Sequence, residues 1–243
     1  MMIDKKSLDS KNILKVFKSP GIIILFLFFS SFFFGIFNIN PSEISDEKYI
    51  IYLFISNLIL FGIFAFIYRK TLIKDAKEYF SNFGKNIETS FKYWLIGFGI
   101  MAISNLFITF VLKKSIAGNE DVVRSYITTM PILMILDVVI LAPFLEELTF
   151  RKSIREAINN KWCYILISGI IFGWMHIASY ISSISDLVYL IPYSALGISF
   201  SLLYYKTDNI FSTIMMHAMH NGLAVLVYLL GALIWRNLLD FFL

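Results

Sequence analysis

Long apolar runs leave this chain little choice of fold. Residues 21–39, 50–68, 93–112, 162–181 and 187–205 are each close to the ~20 apolar residues that carry a helix across a hydrocarbon layer. The run 131–150 has the same length, although Asp137, Glu146 and Glu147 interrupt it, and 210–235 suffices for one tilted helix or a helix with a short re-entrant tail. In lipid, every backbone N–H and C=O needs a partner within its own segment, so such runs fold as helices. The expectation is an all-α, polytopic transmembrane helix bundle of about seven spans, eight if the last run divides. A soluble domain is excluded by composition: 58% of the 243 residues are hydrophobic and 16% charged, whereas soluble domains carry about 25% charge.

The connections divide the chain into two regions. Residues 1–130 hold N-terminal membrane helices and the stretch 70–92, where Lys74, Lys77, Lys85 and Lys92 mix with Leu72, Ile73, Tyr79, Phe80 and Phe83. That mixture predicts an amphipathic helix lying on the membrane surface. Gly118–Thr129 reads as the most polar loop, and 131–243 as a four-helix core. The run 21–39 is too long for a signal-peptide core and lacks a small-residue cleavage pattern.

Basic residues alternate between connections. Lys5, Lys6, Lys11, Lys15 and Lys18 precede the first span; Arg69, Lys70, Lys74, Lys77, Lys85 and Lys92 follow the second; Arg151, Lys152, Arg155 and Lys161 follow the fourth. The positive-inside rule then puts the N-terminus in the cytoplasm. Richness in Ile, Phe, Lys and Asn suggests a bacterial source and hence a bacterial plasma membrane. The net charge of +4 comes mostly from span-end lysines, which implies contact with membrane lipids and no nucleic-acid partner. A single cysteine, Cys163, excludes an internal disulfide and a Cys-cluster metal site.

Against this apolar background the polar residues stand out. Ionisable groups within a span are expensive and mark functional sites by default. Glu147 and Arg151 lie four apart, so on a helix they share a face and pair, while Glu146 points about 100° away. That spacing allows one acid to be structural and the other reactive; ordinary charges at a span end are the alternative, with Arg151 at the cytoplasmic edge. His176 lies within one span, and His217 and Asn221 lie four apart in another. All three histidines of the chain, His220 included, fall in these two spans. Asp137 has no obvious partner in the sequence. Asn57 reads as an interhelical hydrogen-bond residue, and Ser168, Gly169, Gly173, Gly197 and Ser201 as small faces for close helix packing.

Three motifs stand in order: Glu146-Glu147-Leu-Thr-Phe-Arg151, Phe172-Gly-Trp-Met-His176 and His217-Ala-Met-His-Asn221. Together they resemble the EExxxR, FxxxH and HxxxN patterns of the CPBP (CAAX protease and bacteriocin-processing, or Abi) family of intramembrane metalloendopeptidases, across residues 131–225. The resemblance implies a hydrolase that cuts a peptide or membrane-protein substrate. It makes Glu146 the base that activates water, and His176 a holder of that water or of a metal. His217 and Asn221 would stabilise the oxyanion, with Glu147 and Arg151 supporting them. Zn2+ on Glu146, His176 and His217 and a metal-free, glutamate-activated water are both open, as is a bacteriocin self-immunity or peptide-processing role. A non-catalytic immunity or regulatory scaffold of the same fold, and a small transporter with a His/Glu proton relay, are the competing classes.

Peptide hydrolysis in a membrane needs a wet chamber, here expected to lie among spans four to seven and to open to the cytoplasm. One depth does not match. Counted from the presumed edges at ~1.5 Å per residue, Glu146 lies ~8 Å deep and His176 ~21 Å. The expectation drawn from this is a fifth span that starts near Ile167, with 153–166 lying along the interface.

Overall fold

The structure, a computed structural model, describes residues 10–115 and 117–242, with side chains over 19–115 and 117–233. Lys5 and Lys6, and the side chains of Lys11, Lys15, Lys18 and Arg236, lie outside the described residues. Eight helices follow one another: α1 (Ser10–Ile36), α2 (Asp46–Ser81), α3 (Phe83–Phe110), α4 (Gly118–Thr129), α5 (131–157), α6 (Lys161–Ile177), α7 (Leu190–Thr207) and α8 (Ile210–Phe242). The fold is all-α, and the described residues contain no strand. Six of the helices are long and apolar enough to cross a membrane: α1, α2, α3, α6, α7 with the turn before it, and α8. α8 continues unbroken, so an eighth span is not formed among the described residues. Large apolar side chains such as Phe28, Phe32, Phe66, Ile103 and Val227 face outward on these helices, as lipid contact requires. This is an integral membrane protein.

α5 supplies a further apolar segment, but not as one regular helix. It begins with Pro131, whose missing N–H costs nothing at a first helical turn. Two stretches of π-helix interrupt it, Asp137–Leu141 and Glu147–Ser153. Wide turns of this kind occur mostly at functional sites, because each swings side chains out of the regular α register. α5 packs against α1, α2, α6 and α8, so its polar groups face protein rather than lipid.

Three expectations change here. Residues 70–92 do not form a separate surface helix. α2 runs on for 36 residues to Ser81, about 54 Å at 1.5 Å per residue, far beyond a hydrocarbon core of ~30 Å. The chain then turns at Asn82 into α3. The amphipathic pattern belongs to the protruding ends of two spans. Residues 118–129 form α4 rather than a loop, with Glu120 and Asp121 in its first turn, where the helix dipole favours acids. The fifth span starts at Lys161 and not near Ile167: the Asn160 side chain accepts from the N–H groups of Trp162 and Cys163, both at 3.0 Å, and caps the helix there.

α6 and α7 make the closest helix pair. A Cβ added at Gly197 would sit 2.6 Å from the Gly169 carbonyl oxygen, so only glycine allows this approach. The pair is joined to the rest through α3, where Ser199 Oγ donates to the Tyr93 carbonyl. The start of α8 is held by Asp75 in the protruding part of α2. Ile210 N–H donates to its carboxylate at 3.0 Å, and Asn209 Nδ2 to its carbonyl at 2.9 Å.

Candidate active site

α5, α6 and α8 bring five of the six expected site residues into direct side-chain contact, and the sixth joins them through the α5 backbone. Glu147 is fully buried and faces Arg151 and His217. Its Oε2 lies 3.0 Å from Arg151 Nε, and its Oε1 lies 2.9 Å from His217 Nδ1. The first contact is poorly angled for a hydrogen bond, since both atoms count as unsatisfied by geometry; it is a Coulombic contact. Arg151 is likewise fully buried. Its guanidinium lies 4.6 Å over the Phe172 ring and 3.4 Å from Ser168 Oγ. Ser168 is held in turn by the Phe150 carbonyl and by Ser201. Arg151 is therefore not at the membrane edge. The helix continues to Ala157 beyond it, and this narrows the depth mismatch. Glu146 lies 11 residues from the end of α5, roughly 16 Å at the α-helical rise, against roughly 22 Å for His176 counted from Lys161.

Glu146 is placed differently. Its Oε2 is buried and has no hydrogen-bond partner within the protein. It faces His217 Nε2 at 3.8 Å and His176 Nε2 at 3.9 Å. The other nitrogens of both rings are engaged. His176 Nδ1 lies 2.8 Å from the Phe172 carbonyl, which can only accept, so Nδ1 carries the proton. His217 Nδ1 points at the Glu147 carboxylate and carries a proton for the same reason. Both Nε2 atoms thus turn their second-proton positions toward Glu146 Oε2. The π-helical turn that starts at Glu147 separates the two adjacent acids, one locked in an ion pair and one facing two imidazoles.

Asn221 Nδ2 donates to the Val138 carbonyl at 2.8 Å, tying α8 to the first π-turn of α5; an amide nitrogen has a second hydrogen to offer. Phe172 packs beside the site, with ring centroids 4.5 Å from His176 and 5.6 Å from His217. His220 stays outside it, accepting from Trp94 Nε1 at 3.4 Å.

Several contacts escaped the sequence reading. Tyr193 stacks on His176 at 4.8 Å, and Phe200 lies 5.5 Å from His217. Ser168 and Ser201 support Arg151 as well as helix packing. Asp137 does have a partner, since Asn57 Nδ2 donates to its Oδ1 at 2.9 Å. A polar residue inside an apolar run was the available signal for each hydroxyl and amide, and it gave no direction.

Glu146, His176, His217 and Asn221 all line one cavity of about 1160 Å³, together with Asp137 and Asn57. Its walls come from both halves of the chain. It extends to the end of the bundle formed by the start of α2, by α4 and by the turn after α6. The first residues of α1 lie at the opposite end, where Ser19 Oγ donates to the Ser153 carbonyl. A cytoplasmic N-terminus and a cavity open to the cytoplasm are therefore incompatible, and the pair of expectations is corrected on this point.

Two imidazole nitrogens and a carboxylate suit zinc by donor type. Their spacing does not: a tetrahedral zinc with ligand bonds of ~2.0–2.1 Å puts its ligands about 3.4 Å apart, and the separations here are 3.8 and 3.9 Å. Among the described residues no group of three His, Cys, Asp or Glu side chains is arranged to hold a metal ion.

The family model Type II CAAX prenyl endopeptidase Rce1-like matches residues 128–223, the stretch that contains all six site residues. YxdF of Lactococcus lactis, a UPF0177 protein, is 30% identical over 151 residues, covering 59% of this chain and 80% of its own. The chain belongs to the Rce1-like CAAX endopeptidase family. Two further relatives carry names related to that activity. YdiL of Bacillus subtilis, named provisionally as a membrane peptidase, is 30% identical over 150 residues, 60% of this chain. MroQ of Staphylococcus aureus, a membrane-embedded CAAX protease, is 29% identical over 151 residues, 56% of this chain. The alignments span 52% of YdiL and 58% of MroQ, so the chain matches little more than half of either. No solved structure matches the chain.

Proposed function

We propose that this protein is an intramembrane endopeptidase that hydrolyses a peptide or membrane-associated protein through a water activated by Glu146. The observation that carries this reading is the buried Glu146 Oε2, without a partner in the protein and facing two imidazole Nε2 atoms in the wall of a cavity of about 1160 Å³.

The roles follow from what each group can donate or accept. A water between Glu146 and His176 gives one hydrogen to the carboxylate and one to His176 Nε2, which leaves a lone pair for the scissile carbonyl. Three acceptors facing one another would be unfavourable, and a proton on His217 Nε2 relieves this. The Glu147 carboxylate behind its Nδ1 stabilises such an imidazolium, as in other carboxylate–histidine pairs. His217 Nε2–H and the second hydrogen of Asn221 then meet the developing oxyanion, a contribution worth about 3–4 kcal/mol per donor in well-studied hydrolases. Glu146 passes the proton it has taken to the leaving amine. Arg151 keeps Glu147 ionised and fixed in direction. Zinc on Glu146, His176 and His217 would require the three groups to close by about half an ångström, and no step is assigned to it.

The test is cleavage by the purified protein. A library of peptides and membrane-anchored segments is incubated with wild type, Glu146→Gln, His176→Ala and His217→Ala, with folding checked by thermal unfolding. The expected result is turnover by wild type and none by folded variants. Full activity in Glu146→Gln refutes the assignment; no turnover by any form favours the non-catalytic immunity or regulatory scaffold.

A further inference from the structure

We infer that the cavity opens on the extracytoplasmic face of the membrane, so that its substrate is a polypeptide segment presented from outside the cell rather than a cytoplasmic tail. The substrate clause rests on the hydrolase reading above; the direction of opening does not.

Three observations point the same way. The first is the division of charge between the two ends of the bundle. The end away from the cavity mouth carries Arg69, Lys70, Lys74, Lys77, Lys85 and Lys92 around the α2–α3 turn, and Lys152, Arg155, Lys161 and Lys206 on the later connections. The first turns of α1, whose sequence includes Lys11, Lys15 and Lys18, lie at that end too. The acids there are fewer: Asp75, Glu78, Glu88, Glu156 and Asp208. Among the residues with described side chains, the mouth end has Lys48, Lys113, Lys114 and Arg124 as bases, against Glu43, Asp46, Glu47, Glu120, Asp121 and Asp186. Two of those four bases are spent on local pairs, Lys114 with Asp186 at 2.7 Å and Arg124 with Glu120 at 2.9 Å. An excess of Lys and Arg on short connections marks the cytoplasmic side.

The second is the route. Between the site and the basic end lies a packed apolar cluster that includes Leu148, Phe150, Ile154, Tyr164, Tyr204 and Ile210. Each is 3% exposed or less, which leaves no passage in that direction. The third is the lining of the mouth, where Tyr49, Tyr126, Tyr180, Tyr189, Tyr193 and Tyr228 face the cavity. Tyrosines gather at the depth of lipid headgroups on either side of a membrane, which places this rim at an interface, level with an extended segment held at the membrane surface, and the charge division assigns that interface to the outside.

The experiment uses the full chain in intact bacterial cells. Cys163, exposed at the start of α6, is replaced by Ser, and single cysteines are introduced as Ser115→Cys on the exposed rim of the cavity and Lys77→Cys at the basic end. A membrane-impermeant maleimide is expected to label Ser115→Cys in intact cells and Lys77→Cys only after permeabilisation. The reverse pattern, or labelling of both in intact cells, overturns the inference while leaving the hydrolase reading untouched. In a second arm, a bulky maleimide added from outside to Ser115→Cys cells should reduce cleavage of a co-expressed substrate at least tenfold, with the Cys163→Ser parent unaffected. Full labelling without loss of cleavage overturns entry by this mouth. Absence of cleavage in the parent refutes the hydrolase reading alone, and the labelling pattern still decides the direction.

Discussion

Replacing Arg151 by Met is the most informative perturbation of the site. Arg151 and Glu147 are both fully buried, with Nε 3.0 Å from Oε2. Arg151→Met keeps the bulk of the side chain and leaves Glu147 with only His217 to compensate its charge. Removing one partner of a buried pair costs about 3–5 kcal/mol, because an uncompensated charge stays in a low-dielectric interior. The contact with the Phe172 ring, worth up to about 2 kcal/mol when desolvated, is lost within that figure. For soluble domains of this size ~1 kcal/mol corresponds to about 2–4 °C, so the detergent-purified variant should unfold roughly 6–20 °C lower. Glu147→Gln strands Arg151 and should cost a similar amount. The double variant removes both charges, and buried pairs replaced by neutral groups are often close to isoenergetic. It should recover most of the loss in thermal unfolding yet remain inactive, since His217 no longer has a carboxylate behind it. If the two single effects simply add in the double variant, the pair is not held together by charge compensation and the account of Glu147 fails.

Three further outcomes are expected. Gly197→Leu should separate α6 from α7, because a Cβ there meets the Gly169 carbonyl oxygen at 2.6 Å, and thermal unfolding should fall while Gly62→Leu, which meets nothing within 4 Å, leaves it unchanged. Asp75→Ala removes the acceptor for the first N–H of α8 and should destabilise by about 1–2 kcal/mol, the usual cost of a lost helix cap; denaturant unfolding of the purified protein measures it. A chelator should leave cleavage by the purified protein intact, given the 3.8 and 3.9 Å separations around Glu146 Oε2; loss of activity restored by added zinc would show that the three groups close on a metal.

Much of this was legible in the chain. The apolar runs specify helices and the membrane, because a backbone in hydrocarbon has no other way to pair its polar groups. The i, i+4 spacing of Glu147 and Arg151 anticipates their ion pair, and the Ser168–Gly169–Gly173 and Gly197–Ser201 faces anticipate the close α6–α7 contact. Sequence reading went astray over length, depth and, at 118–129, over polarity taken as a sign of a loop where a helix forms. The amphipathic stretch 70–92 has the composition of a surface helix, but it continues α2 and begins α3. Arg151 resembles a span-end cation because a linear chain does not reveal that α5 runs on to Ala157 inside the protein.

Sequence alone determined the class of molecule and the list of polar residues that an apolar environment would not tolerate without a purpose. Tertiary structure decided that two imidazoles from different helices meet the free carboxylate, because that depends on how α5, α6 and α8 pack and on two π-turns that no residue pattern announces. It also decided which end of the bundle the cavity reaches, since packing between distant helices sets which way a buried pocket can drain.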